Sequence, residues 1–405
     1  MTSFCASIWQ IALHKYSTLI YSGFPIIFWV RPRWSLSEMG DQSDKVVMVT
    51  GGNSGTGYAT CRAMYNAGAT VYLACRSIER GQQAIEDIKK GGEDGVLGMN
   101  FPEGKVSSKG KGRLELLLLD LADLASVEAA VEDFLSRESK LDILFENAGV
   151  MACPEGLYTK QGYTLQFGTN VRPSSDNLSL ADLSPQCLGH QHLLTLLLPT
   201  LLETSKAHPT CPSRVIITSS AGHVSAPRNG IDFDSVRKST NENGRLEKNR
   251  YIEYGQSKWG NLACVKWLNW EYGPRSSLDD KKDKGELISI GVHPGMIATQ
   301  LARHLPFVPF VLAYLQWMIV GLFCLNPAVA TEIPSPQPLI TRSPADGALN
   351  QLWAATCPLA QARTISGEYI VPFQRIGRAR PDLNDRALVT RVWDWLSEQG
   401  GKKNI

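Results

Sequence analysis

The chain of 405 residues contains no C-x-x-C pair, and its nine cysteines, scattered from Cys5 to Cys357, form no cluster with histidine at zinc spacing. No metal site is expected. An odd count also argues against a secreted disulfide framework, so the cysteines read as small core residues in a reducing compartment. Neither sign of charge is in excess: 41 Lys and Arg stand against 39 Asp and Glu, for a net charge of +2. No basic block is large enough to track a phosphate backbone, which argues against a nucleic-acid partner. The apolar run at residues 19–30 follows His14 and Lys15 and lacks a small-residue cleavage signature. It is shorter than the ~20 residues needed to cross a bilayer, and it reads either as a membrane contact or as an upstream extension. The Gly-Lys pairs inside residues 91–112 have no preceding strand and no Gly-Lys-Ser/Thr, so the P-loop is excluded and the stretch reads as a long loop.

What is present is organised around residues 45–57, KVVMVTGGNSGTG. A Val-rich strand of the fully buried kind breaks into glycines, and residues 58–68 then carry apolar side chains at helical spacing. Strand, glycine turn and helix make a cradle for a dinucleotide. Gly51 can make the tight turn, Gly55 can admit a pyrophosphate, and Gly57 can let helix pack on strand. The helix start supplies free N–H groups to the anion.

Residues 70–75 (TVYLAC) form the second strand, with Arg76 at its end, where the adenosine ribose is read. An acidic residue there would accept from a free 2′-hydroxyl, whereas arginine pairs with a 2′-phosphate, which favours NADP(H) over NAD(H). A solvated arginine opening a helix is the alternative. A third strand at residues 114–119 ends at Asp120, whose carboxylate can accept the adenine amino group. A helix at 125–137 and strands at 141–145, 214–218 and 287–292 complete an alternation that implies a parallel sheet with right-handed crossovers. The strand RVIIT at 214–218 delivers Ser219 and Ser220 at its carboxyl end, where such sheets bind ligands. Tyr254 and Lys258 in YGQSK are four residues apart on a helix and leave the same face. A phenol with an ordinary pKa of roughly 10 needs nearby positive charge to act near neutrality, and Lys258 supplies it.

In this order the glycine turn TGxxxGxG (Thr50, Gly51, Gly55, Gly57), Asn147-Ala148-Gly149, the paired serines, Tyr-x-x-x-Lys and Pro-Gly-x-x-x-Thr resemble the short-chain dehydrogenase/reductase family, in particular its fungal and retinol-dehydrogenase-like members. The likeness covers residues 45 to about 370. It implies an α/β fold, a doubly wound parallel sheet of Rossmann type in one large domain with an apolar substrate lid. It also implies Ser220, Tyr254, Lys258 and Asn170 as a catalytic tetrad. Ser54 and Thr56 would then lie in the cofactor turn, Asn147 beside it, and Ile297 and Thr299 along the nicotinamide end. The activity implied is NADP(H)-dependent interconversion of an alcohol and a carbonyl on an apolar small molecule, as a tailoring step in secondary (for example terpenoid) metabolism. A retinoid or steroid dehydrogenase and a non-catalytic cofactor-binding scaffold are the alternatives.

Two departures from the family pattern stand out. Glu146 replaces the first residue of the usual Asn-Asn-Ala-Gly. The run RPSSDNLSLADLSPQC at residues 172–187 interrupts what should be one helix after Asn170. A second, proline-rich run lies at 327–343, and excising either restores a family-like join, which suggests retained short introns or surface loops. Residues 45–375 are thus expected to be the catalytic domain, after an extension at 1–44 and before a helical tail at 376–405. Residues 305–325 are free of charge over about a bilayer's thickness, but Pro306 and Pro309 disfavour one unbroken helix. The expectation is a lid in peripheral contact with a membrane and an active site on the cytoplasmic side.

Overall fold

The computed structural model describes residues 32–91, 110–149, 159–164, 187–237, 250–274, 285–295, 297 and 343–401. Strand β1 (Val46–Thr50) is buried throughout, and its alternate side chains feed two separate cores. Val46 and Met48 face one cluster and Val47 and Val49 the other, as the period of two requires. The remaining strands are β2 (Thr70–Cys75), β3 (Arg113–Leu118), β4 (Ile143–Glu146), β5 (Arg214–Thr218), β6 (Ile288–Val292), β7 (Tyr369–Val371) and β8 (Arg375–Ile376). They form a single sheet of order β3-β2-β1-β4-β5-β6-β7-β8, parallel except for the antiparallel β7–β8 edge. The strand order reverses between β1 and β4, which opens a crevice at their carboxyl ends.

Helices cover both faces. On one side pack α1 (Gly55–Asn66), α2 (Ile78–Lys89), α6 (Pro344–Thr356) and α7 (Leu359–Ile365). On the other pack α3 (Leu124–Arg137), α4 (Leu188–Ala207), α5 (Arg250–Tyr272) and α8 (Arg386–Gln399). The doubly wound sheet expected from the alternation of strands and helices is therefore present. Strands β2 and β5 fall where their residues predict. Helix α1 begins at Gly55, ahead of the apolar periodicity at 58, because its first turn, Gly55-Thr56-Gly57, packs on the β1 turn through backbone and carries no large apolar side chain. β4 starts at Ile143 and not at 141, since the Leu141 N–H donates to Thr204 Oγ1 (3.0 Å) and leaves the ladder.

Asn170, Thr299, the apolar stretch 305–325, residues 1–31 and nearly all of 172–187 and 327–343 lie outside the described residues. Of the two unusual runs only the last residue of each is described. Cys187 precedes the first turn of α4, and Ser343 caps α6 in a reciprocal box with Asp346. Among the described residues no helix is long and apolar enough to cross a membrane.

Candidate active site

The glycine turn between β1 and α1 is shaped by backbone that side chains would obstruct. Gly51 and Gly55 have φ of 67° and 55°, in the left-handed region. A Cβ at residue 57 would lie 2.2 Å from Gly51 O and 2.6 Å from Asn147 Nδ2, so α1 rests directly on the turn. Ser54 is exposed at the helix start. Thr56 Oγ1 donates to Asn147 Oδ1 (2.8 Å), while Asn147 Nδ2 donates to Thr50 O (3.0 Å). Ile297 Cγ1 and Thr56 Cγ2 each sit 2.8 Å from where a Cβ on Gly347 would be, so both converge on α6. A cradle of this kind, with no side-chain cap at the start of a twelve-residue helix, fits a dinucleotide pyrophosphate.

Arg76 stands half-buried at the end of β2, and Ser77 caps α2 by accepting from Arg80 N (3.3 Å). Asp120, at the end of β3, accepts from Ala122 N through Oδ1 (2.9 Å), so one carboxylate oxygen holds the local turn. Both residues lie on the β2–β3 side of the crevice, where the adenosine half of a dinucleotide would rest.

Across the switch point, β5 leads into Ser219 and Ser220, and α5 carries Tyr254 and Lys258. Ser220 opens a 3-10 turn (Ala221–Ser225), and its Oγ accepts from Gly222 N at 3.1 Å. As the acceptor in that bond, the hydroxyl keeps its own hydrogen to donate. A Cβ on Gly222 would come within 2.7 Å of Tyr254 Cε1 and 3.5 Å of Ser220 Oγ. Residue 222 therefore lacks a side chain where the phenol ring and the serine hydroxyl meet. Lys258, one turn along α5, is 3% exposed and donates from Nζ to Thr218 O (3.0 Å). Its ammonium lies 5.8 Å from the centroid of the Tyr254 ring. Burial pulls the Lys258 pKa down to about 7, with the Cys187 thiol opposing the fall. Asn261 Nδ2 also donates to Thr218 O (2.9 Å), and Ser219 Oγ donates to Lys258 O (2.9 Å), so α5 is stitched to the end of β5.

The structure thus brings together Ser220, Tyr254 and Lys258 on one side and Gly51, Ser54, Gly55, Thr56, Gly57, Asn147 and Ile297 on the other. It also adds His190 and Gln351, which the sequence reading did not single out, and gives bonds to Thr50, read there only as part of the glycine signature. Thr50 Oγ1 accepts from the N–H groups of Asn147 and Ala148 (both 3.0 Å) and meets His190 Nε2 at 2.8 Å. Gln351 of α6 donates to Thr60 Oγ1, and Thr218 Oγ1 donates to Gln351 Oε1 at 3.3 Å. Their signal was polarity out of place, in a histidine within the leucine-rich 188–201 and an Asn-Gln pair within an apolar helix. His293, after β6, has its pKa pushed down to about 3, chiefly by burial, with His223 and Lys258 nearby adding to the fall, and is neutral near pH 7. Glu146 is 2% exposed, and its Oε1 has no hydrogen-bond partner among the described residues. Burial raises its pKa well above the carboxylate range, so it is held as the acid.

The family model described as short chain dehydrogenase matches residues 45–101. A short-chain dehydrogenase/reductase of Armillaria gallica is 37% identical over 371 residues, covering 91% of this chain and 94% of that protein. The short-chain dehydrogenase/reductase pkfC of Emericella nidulans is 32% identical over 370 residues, with 91% and 96% covered. Human retinol dehydrogenase 14 is 28% identical over 355 residues, with 86% and 84% covered. Among solved structures, an uncharacterized protein from Mycobacterium paratuberculosis aligns at a TM-score of 0.56 and 22% identity, covering 91% of this chain and 98% of that one.

Proposed function

Because the chain belongs to the short-chain dehydrogenase/reductase family, we propose that it is an NADP(H)-dependent oxidoreductase interconverting an alcohol and a carbonyl group on an apolar small molecule. The observation that carries this reading is the meeting of the Tyr254 ring and the Ser220 hydroxyl at Gly222, with the buried Lys258 ammonium beside the ring. When bound, the nicotinamide supplies or accepts a hydride. In the reductive direction Tyr254 gives its phenolic proton to the carbonyl oxygen and Ser220 holds that oxygen by a hydrogen bond. Lys258, charged, lowers the cost of the phenolate that remains.

Gly51, Gly55, Gly57 and the start of α1 would hold the pyrophosphate, and Asn147 would fix the turn through Thr50 and Thr56. Arg76 would pair with the 2′-phosphate, and Asp120 would accept from the adenine. Asn170 and Thr299 keep, in this proposal, the roles of fourth tetrad member and nicotinamide-end contact. In this proposal the reaction is a tailoring step in secondary metabolism, for example of a terpenoid, a setting that suits the fungal origin of the short-chain dehydrogenases/reductases to which the chain is similar. The likeness to human retinol dehydrogenase 14 favours a retinoid as the second reading.

The test is a screen of purified protein against apolar ketones and alcohols, retinal included, with NADPH and NADH supplied in parallel. Consumption of NADPH with one ketone class establishes the activity. Tight NADPH binding with no turnover on any member would replace the enzyme with a cofactor-binding scaffold.

A further inference from the structure

The segment that follows β8 reaches back into the reactive half of the crevice. His223, inside the turn that Ser220 opens, is fully buried. Its Nδ1 lies 2.7 Å from Ser220 O and its Nε2 accepts from Arg380 N at 3.3 Å. With Nε2 accepting, Nδ1 carries the proton and donates to the serine carbonyl. One imidazole therefore spans from the catalytic serine's backbone to residue 380.

Arg380 does more than present its N–H. Its guanidinium donates to Ala226 O, to Pro227 O (2.8 Å) and to Arg228 O (3.3 Å), the three carbonyls just after the 3-10 turn. The same group pairs with Asp382, with Nε 3.1 Å from Oδ1. Asp382 Oδ1 also accepts from Trp259 Nε1 at 3.1 Å. Trp259 is the residue after Lys258 and is fully buried, with its ring closed over Gly230, where a Cβ would stand 2.5 Å from it. The Ser220 turn and the Tyr254/Lys258 helix are thus tied to one Arg-Asp pair that belongs to neither.

We propose that His223, Arg380 and Asp382 act as a positioning clamp, setting the Ser220 hydroxyl against the Tyr254 phenol from the C-terminal segment. The proposal rests on the reading of Ser220, Tyr254 and Lys258 as the reactive groups. All three clamp residues act through others and none touches the reacting atoms. A planar fork that satisfies three successive carbonyls and a carboxylate fixes a loop more tightly than an ammonium can. Small displacements of a donor from the developing oxyanion are costly in rate, so loosening the turn should be felt in kcat before it is felt in cofactor binding.

The experiment compares His223→Gln, His223→Asn and Arg380→Lys with the unaltered full chain. It measures kcat and KM on a ketone from the screen, NADPH affinity by fluorescence, Tm, and amide hydrogen exchange of residues 218–226. His223→Gln and Arg380→Lys should lower kcat by roughly ten- to a hundredfold, with NADPH affinity held within about twofold. His223→Asn, which keeps a donor at the δ position toward Ser220 O, should recover most of that loss. Exchange should quicken at 218–226 in the two impaired proteins and stay unchanged at residues 51–57. Unchanged kcat in both, or a loss that follows Tm with His223→Asn no better than His223→Gln, overturns the clamp. If the unaltered protein binds NADPH but reduces no ketone, the reductase reading fails by itself. Exchange then decides the clamp, which stands if residues 218–226 quicken and falls if they do not.

Discussion

In the proposed reaction, Lys258 and Tyr254 act through their charge states. With its pKa pulled to about 7 by burial, Lys258 in the free enzyme is charged below that pH and neutral above it. Since it is the charged form that favours the phenolate, the reductive kcat/KM should fall as pH rises through about 7, in an initial-rate series across pH 5.5–9. Tyr254→Phe, measured at the low-pH plateau, should retain NADPH binding and lose at least ~100-fold in turnover. Near-normal turnover would remove the phenol from the mechanism. On the proposed NADP(H) reading, Arg76→Asp exchanges a phosphate partner for a hydroxyl acceptor and should shift preference from NADPH toward NADH. An unchanged ratio of kcat/KM for the two cofactors would make Arg76 a solvated helix residue. Glu146 bears on stability. Its pKa is raised by burial, so both states hold the proton below the unfolded value of roughly 4.3, and above it only the unfolded chain ionises. Its contribution is therefore complete at low pH and is lost as pH rises toward the folded pKa, by at most ~1.4 kcal/mol per unit. Glu146→Gln should remove that slope from urea unfolding curves taken between pH 5 and 8, and an identical slope in both proteins would mean that the carboxyl ionises in place.

At the level of elements, α1 and the β1 turn meet at Gly57 with no room for a side chain. Gly57→Ala sets a methyl 2.2 Å from Gly51 O, a backbone atom that yields only if the turn or α1 shifts, and 2.6 Å from the Asn147 side-chain amide. The expected outcome is a loss of NADPH binding of tenfold or more with a destabilisation of roughly 1–3 kcal/mol, read by titration and thermal melting. Wild-type affinity in that variant would mean that α1 can slide along the sheet. The same elements show what the sequence could disclose. Strands such as TVYLAC and RVIIT announce themselves because both of their faces are buried, and YGQSK places its two reactive groups by helical spacing alone. Glycines at 51, 55 and 57 were legible because each meets a steric demand that few other residues tolerate. The partners that arrive from afar were not. Gln351 reaches Thr60 across 291 residues, and Arg380 reaches His223 across 157, and no local period in the chain encodes either pairing. Glu146 was visible as a departure, but its isolation among apolar side chains depends on packing from α4 and α5.

For the molecule as a whole, the C-terminal third closes the sheet and completes both halves of the site. Helix α6 lies along α1 and carries Gln351 and Gly347, β7 extends the sheet beyond β6, and α8 packs on α4 and α5, with Trp393 stacked on Trp267 at 3.7 Å. A chain ended after residue 376, which keeps α6 and the β7–β8 edge, should bind NADPH weakly or not at all, because the face of α4 and α5 that α8 covers would be left open to water. Binding at full strength by that shortened chain, measured by fluorescence titration, would detach the tail from the fold. The Gln351–Thr60 bond has a further consequence in time. The glycine turn is among the first described residues to be synthesised, yet the glutamine that braces its helix emerges from the ribosome almost three hundred residues later. During synthesis the helix that opens at the turn waits for this brace, although Asn147 can reach Thr50 and Thr56 about two hundred residues earlier.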